Sequence, residues 1–283
     1  MALFSFLVAM FVERLKFLPA FLQFDELMRQ YQQSFWRVDS LTHTHIALIA
    51  IAIPAVCVFA IRYLLDGLFF DVFSLAFSVF IAVICLSHQS IRHIFKKYIQ
   101  AACRGDVQAC FIYAGKLDCH ECLKAVNENE LGKRVGETVA WINYRYYGAV
   151  ALYFVVFGPV GAVLYCSVRY YHDLLAMHKV ENTWVELLLL ALDWLPSRIF
   201  SFGYVLSGQF SQGFGAWRRT ALTLHANAKD VVSKTAMAAE ELPEQSDAPV
   251  CVRSTLALLA LSKRNLLLLV TMLSVLTIFG VVS

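Results

Sequence analysis

An all-α, polytopic helix bundle in a membrane is what this chain predicts, on three observations. Residues 146–168 contain no Asp, Glu, Lys or Arg, and neither do 41–61, 72–91 or 265–283. A helix crossing the hydrocarbon core needs about 20 mostly apolar residues, so each run is long enough to span. The composition agrees: 59% of the 283 residues are hydrophobic and 16% charged, against about 25% charged in ordinary soluble domains. The mean hydropathy is +0.61. The net charge of +3 is small and spread along the chain, which excludes the clustered basic face of a nucleic-acid binder. The lipid bilayer is the expected partner.

The elements follow in order within a single integral domain, 1–283. The first twelve residues are apolar but too short to span, with no basic n-region or cleavage site; they are expected in the interface or packed on the bundle. The first span covers about 41–64 and the second 72–91. The short turn between them implies an antiparallel hairpin. Pro54 and Pro159 lie inside spans, where kinks are expected. Residues 92–145 form a polar helical loop with nine basic residues, among them Arg92, Lys96, Lys97 and Arg104, whereas the hairpin turn has only Arg62. Basic residues near span ends prefer the cytoplasm, which places this loop and the N-terminus inside. An amphipathic helix is expected around 117–131 and another from near Glu137 into the third span, 146–168.

Residues 184–208 are harder to place. LLLLAL is followed by Asp193, Pro196 and Arg198, and 199–217 holds four Gly, three Ser and two Gln without a charge. The reading is a weak crossing or a re-entrant element, counted as a fifth membrane segment. Residues 221–242 read as a soluble helix and 242–250 as a linker, a cytoplasmic helix and linker within about 218–262. The last span is 265–283.

Several constellations could carry chemistry. Cys119-His-Glu-Cys122 has zinc-ligand spacing, with Cys103, Cys110 or His120 as further ligands. It is a weak metal candidate, because the other spacings match no zinc knuckle, and a cytosolic loop keeps thiols reduced. Glu137, Trp141 and Arg145 recur every four residues on one helix face, with Asn143 and several tyrosines around them. They read either as a headgroup belt or as a polar ligand pocket. Arg169 and Asp173 suggest a surface i,i+4 pair. Asp193 among apolar residues needs a partner, since a charge at membrane depth costs roughly 2.5–3.5 kcal/mol; Arg198 is the natural one. His43, His45, His88 and His93 lie at span ends and read as interfacial. No P-loop, G-x-G-x-x-G or Ser/His/Asp string is present. No catalytic residue or cofactor is assigned.

The stretches FVERLKFLPAFLQFDELMRQY, WINYRYYGAVALYFVVFGPVGAVLYCSVRYYHDLL, LALDWLPSRIFSFGYVLSGQF and TMLSVLTIFG resemble the AmpE family of inner-membrane proteins. That resemblance implies a regulatory or sensory role linked to β-lactamase induction or cell-wall state, with a cell-wall-derived or nucleotide ligand. It implies no named protein partner. AmpE in turn is similar to the CobD/CbiB membrane proteins of cobalamin synthesis. Asn143 matches the Asn of that family's E-N-x-x-D-G motif, with Ile142 and Tyr146 in place of its acids. Pro196 and Arg198 match its D-D-x-x-N-x-x-P-A-R-L segment, with Asp193 for the Asn and Leu189 and Leu190 for the paired acids. Nucleotide-driven amide formation needs acids to hold Mg²⁺ and phosphate, so their replacement argues against catalysis. The alternative function is a membrane ligase-like enzyme using ATP and Mg²⁺ at what remains of that site. The ligand-site expectation is Glu137, Trp141, Asn143, Arg145, Asp193 and Arg198.

Overall fold

The computed structural model describes residues 2–15, 19–67, 71–117, 122, 125, 127–223, 226–241 and 249–280. Among them the regular elements are all helical. In chain order they are α1 (Ala2–Leu15), α2 (Phe24–Phe35), α3 (Thr44–Leu65), α4 (Val72–Leu86), α5 (Gln89–Cys103), α6 (Val107–Lys116), α7 (Glu128–Asn143), α8 (Ala149–Met177), α9 (Thr183–Ser207), α10 (Phe210–Ala221), α11 (Ala228–Ala239) and α12 (Val250–Ile278). A π-helical turn, Tyr144–Gly148, joins α7 to α8. Several starts follow from capping side chains: Asp106 accepts the Ala109 N–H, Asn127 that of Glu130, and Asn227 that of Lys229. Each cap satisfies an amide that the first turn would otherwise leave unpaired.

Four helical stretches are long and apolar enough to cross a membrane: Thr44–Leu65, Val72–Cys103, Glu128–Met177 and Val250–Ile278. They overlap the four expected charge-free spans and fit a membrane protein. Some boundaries differ from the sequence reading. The second span is interrupted: α4 stops at Leu86, and α5 starts after the non-helical His88. The fifth segment is α9, one 25-residue helix through Asp193 and Pro196. It is one continuous helix and is not among the four stretches long and apolar enough to cross. The helix expected over 221–242 is shorter: α11 runs from Ala228 to Ala239 behind the Asn227 cap, after α10 has ended at Ala221. Helix α7 starts at Glu128, nine residues before the expected Glu137. Much of the helix expected at 117–131, and of the linker at 242–250, lies outside the described residues.

The chain divides into two compact units, residues 1–87 with 149–194 and 272–283, and residues 88–148 with 195–271. In the first unit α8 is the central helix. Helix α1 packs against α4 and α8, as expected for a short apolar segment resting on the bundle, and Phe6 meets Phe154 at 6.5 Å between ring centroids. Helix α3 buries Ala47, Ala50, Ile51, Ala55 and Val58 against its neighbours. That spacing follows one helix face. Its other face shows Ile49, Ile53, Val56 and Phe59, the apolar surface that lipid would cover. Gly158 breaks α8 with φ +69° and ψ −161°, immediately before Pro159. The expected kink therefore has a definite residue, and the Arg62 guanidinium lies where a Gly158 side chain would be.

The second unit has an apolar core of Tyr98, Ala101, Ala102, Cys110, Ala114, Leu117, Cys122, Leu131, Val135, Val139, Cys251 and Val252. Gly132 and Gly136, four apart on α7, face α12. A side-chain carbon on Gly132 would stand 2.7 Å from the Cys251 carbonyl oxygen, and one on Gly136 2.6 Å from Leu258. Small residues at this spacing let two helix backbones approach closely. The Thr255 hydroxyl then reaches across to donate to the Gly132 carbonyl at 2.9 Å.

Candidate functional site

In the second unit, helices α7 and α11 pack together and enclose a polar cavity of about 300 Å³. Helix α7 contributes Arg134, Glu137 and Thr138; helix α11 contributes Lys229, Asp230, Ser233 and Lys234. The placement follows from helix geometry. Residues 229, 230, 233 and 234 share one face of α11, while its opposite face buries Val231, Val232, Thr235 and Ala236. The Ser233 hydroxyl donates to the Glu137 carbonyl at 3.4 Å and ties the two helices together.

Three cations and two carboxylates face this cavity, with two hydroxyls. Lys234 and Asp230 pair at 3.1 Å, and Arg134 stands 3.9 Å from Glu137 and 3.7 Å from Glu130. These groups are largely exposed, so as structural ion pairs they contribute little, about 0–1 kcal/mol each. Their convergence on one cavity gives both signs of charge, with cations in excess. That arrangement can bind a ligand carrying anionic and cationic groups together.

Five of the six expected ligand residues, all but Asp193, belong to the second unit. Glu137 lines the cavity. Trp141 and Arg145 come together one turn further on, the guanidinium carbon 5.8 Å from the indole centroid, with Arg145 buried. Asn143 donates to the Val139 carbonyl at 2.8 Å and so serves its own helix. The π-helical turn beside them rests on α5: His88 meets Tyr146 edge-on at 4.4 Å, and Arg92 donates to the Tyr147 hydroxyl at 3.0 Å. Arg198 is buried and donates to the Ala221 and Thr223 carbonyls at 2.9 and 3.0 Å, while Trp217 donates back to the Arg198 carbonyl. It thus clamps the C-terminal end of α10, where unpaired carbonyls favour a cation.

Asp193 belongs to the first unit, buried, and accepts a hydrogen bond from Tyr165 at 2.9 Å. A carboxylate at this depth requires such a donor. Tyr165→Phe removes it while keeping the ring. The expected loss is about 1–3 kcal/mol, the cost of leaving a buried charged acceptor underserved. It would be read as a lower thermal unfolding midpoint in detergent; an unchanged midpoint would show that the bond carries nothing.

Two expectations are corrected. Arg169 is not at the surface, where an ordinary pair with Asp173 would put it. It is 1% exposed and donates to Asp25 at 2.7 Å. Cys122 carries no free thiol: it is disulfide-bonded, so its sulfur is not a thiolate ready for a metal ion. Cys119 and His120 lie outside the described residues. Arg134 and the α11 residues were missed as site residues. The i,i+4 charges Asp230 and Lys234 were visible, but nothing in the sequence pairs them with a helix some ninety residues earlier.

Comparison with known proteins agrees over the full length. The family described as "Regulatory signalling modulator protein AmpE" matches residues 1–283. Protein AmpE of Shigella flexneri is 26% identical over 294 aligned positions, covering 99% of both chains. No solved structure matches. The match along the whole length, on a chain whose four apolar helices fit a membrane, shows that this protein belongs to the AmpE family of regulatory signalling modulators.

Proposed function

We propose that this protein is an inner-membrane sensor whose α7–α11 cavity binds a charged small molecule and passes its presence to signalling linked to β-lactamase induction or cell-wall state. The family membership carries the regulatory part of this reading. The cavity carries the binding part, because it gathers three cations and two carboxylates from helices far apart in sequence. The excess of basic residues in 92–145 and 218–264 supports a cytoplasmic side for these segments under the positive-inside rule, so the ligand would arrive from the cytoplasm.

A thermal-shift screen of the detergent-purified chain tests it, with cell-wall fragments, nucleotides plus Mg²⁺ and corrinoids as probes. A ligand that binds only the folded state stabilises it by about 2.7 kcal/mol at one hundred times its Kd. The expected result is stabilisation by one class, reduced at least tenfold in affinity by Lys229→Glu and by Glu137→Gln. Stabilisation that survives both substitutions would move the site elsewhere, and no response from any class would overturn the sensor reading. Saturable binding of ATP with Mg²⁺ that disappears in Asp193→Asn would favour the ligase-like alternative instead.

A further inference from the structure

Two cysteines that the proposed function does not use meet in the core of the second unit. Helix α6 turns Cys110 and Ala114 inward, and the first turn of α12 turns Cys251 and Val252 into the same core. Cys110 is 0% exposed and Cys251 3%. The two side chains belong to the same buried cluster, and each thiol acts on the other's proton affinity. The backbone of Cys251 is held from two sides: the Tyr98 hydroxyl donates to its carbonyl at 2.6 Å, and Gly132 lies directly against that same carbonyl. The disulfide-bonded Cys122 is buried in this core too, and Cys103 on α5 has an exposed thiol.

We propose that Cys110 and Cys251 are a site of reversible disulfide modification, which on oxidation by a hydroperoxide staples helix α6 to the first turn of α12. The sulfur of one cysteine attacks a peroxide oxygen, the O–O bond breaks, and one water or alcohol leaves with the thiol proton. The resulting sulfenic acid is then attacked by the second sulfur. The S–S bond forms, the S–OH bond breaks, and a water molecule leaves with the second proton. Two electrons pass from the thiols to the peroxide; a dithiol reductant returns them. The two sulfurs, in one core cluster, must close to about 2.05 Å. Burial pushes the Cys110 thiol up to about 12, so it stays protonated and slow to react while the core is closed. Oxidation therefore marks molecules whose core has opened, and the new bond then restrains α12 at its start.

The test uses the full chain in detergent, treated with hydrogen peroxide, alkylated with N-ethylmaleimide and digested without reduction. Mass spectrometry is expected to find peptides joined through Cys110 and Cys251 in at least half of the molecules, and to lose them after dithiothreitol. Exposed Cys103 is expected to be alkylated before Cys110 in untreated protein. The proposal is overturned if both cysteines are recovered as alkylated thiols after peroxide, if either is over-oxidised without a link, or if Cys110 is joined to Cys103 or Cys122. The wild-type chain decides the matter alone. In Cys251→Ala, Cys110 is expected to stop at a sulfenic acid trapped by dimedone; a disulfide there to another cysteine would equally overturn the pairing.

Discussion

Gly208→Ala will lower the stability of the second unit by about 3 kcal/mol, the upper part of the usual cost of overpacking. Gly208 follows the end of α9, where its N–H donates to the Tyr204 carbonyl at 2.9 Å. A side-chain carbon there would stand 2.2 Å from the carbonyl oxygen of Ala239 and 3.0 Å from its carbonyl carbon. That oxygen cannot simply withdraw, because it already accepts the Gln209 N–H at 2.7 Å. Ala239 is the last residue of α11 and also lies against Gly213 of α10. An added methyl must therefore push the end of α11 off both α9 and α10. Gly215→Ala is the control: nothing stands within 4 Å of its position in α10, and alanine is the better helix former by about 0.5–1 kcal/mol. Thermal unfolding in detergent is expected to drop for Gly208→Ala and to hold or rise for Gly215→Ala. Equal midpoints would mean that α11 is not wedged there. Because α11 forms one wall of the charged cavity, ligand stabilisation should weaken together with Gly208→Ala and persist in Gly215→Ala.

How much of this was legible follows from the range of each signal. The four spans were legible because hydrophobicity accumulates locally and needs no partner. Their ends were less so. The second charge-free run hides a break, since Ser87 and His88 are uncharged yet stop α4 at Leu86. Asp193 and Pro196 made α9 read as irregular, but a buried carboxylate with Tyr165 as donor is accommodated in a regular helix. At the site, Glu137 was identified on its own helix, while Lys229, Asp230, Ser233 and Lys234 were not, because their meeting with α7 is a tertiary fact. Arg169 shows the same limit more sharply. Helical spacing offered Asp173 as its partner; the fold supplies Asp25, which no periodicity could indicate.

That Arg169–Asp25 pair gives the other large effect, and its sign depends on which partner is removed. Arg169 is 1% exposed, whereas the Asp25 side chain is 42% exposed. Asp25→Ala removes the carboxylate to which this buried guanidinium donates, a change expected to cost about 3 kcal/mol, the lower end for breaking a buried pair. Glu26, the next residue on α2, is not a ready substitute. Arg29 donates to it at 2.9 Å and holds its carboxyl below the usual range. Arg169→Met is different. It removes the charge that was expensive to bury, keeps an apolar side chain of similar length, and leaves Asp25 able to face solvent. Replacing a buried charge with a well-packed apolar group is often neutral or stabilising, so the expected change is within about 1 kcal/mol. In the Arg169→Met background, Asp25→Ala should then cost almost nothing, because the coupling between the two sites has gone. Unfolding midpoints of the two single variants and the double variant complete the cycle. If Arg169→Met were as damaging as Asp25→Ala, the guanidinium would be held by contacts beyond Asp25 that contribute more than the ion pair itself.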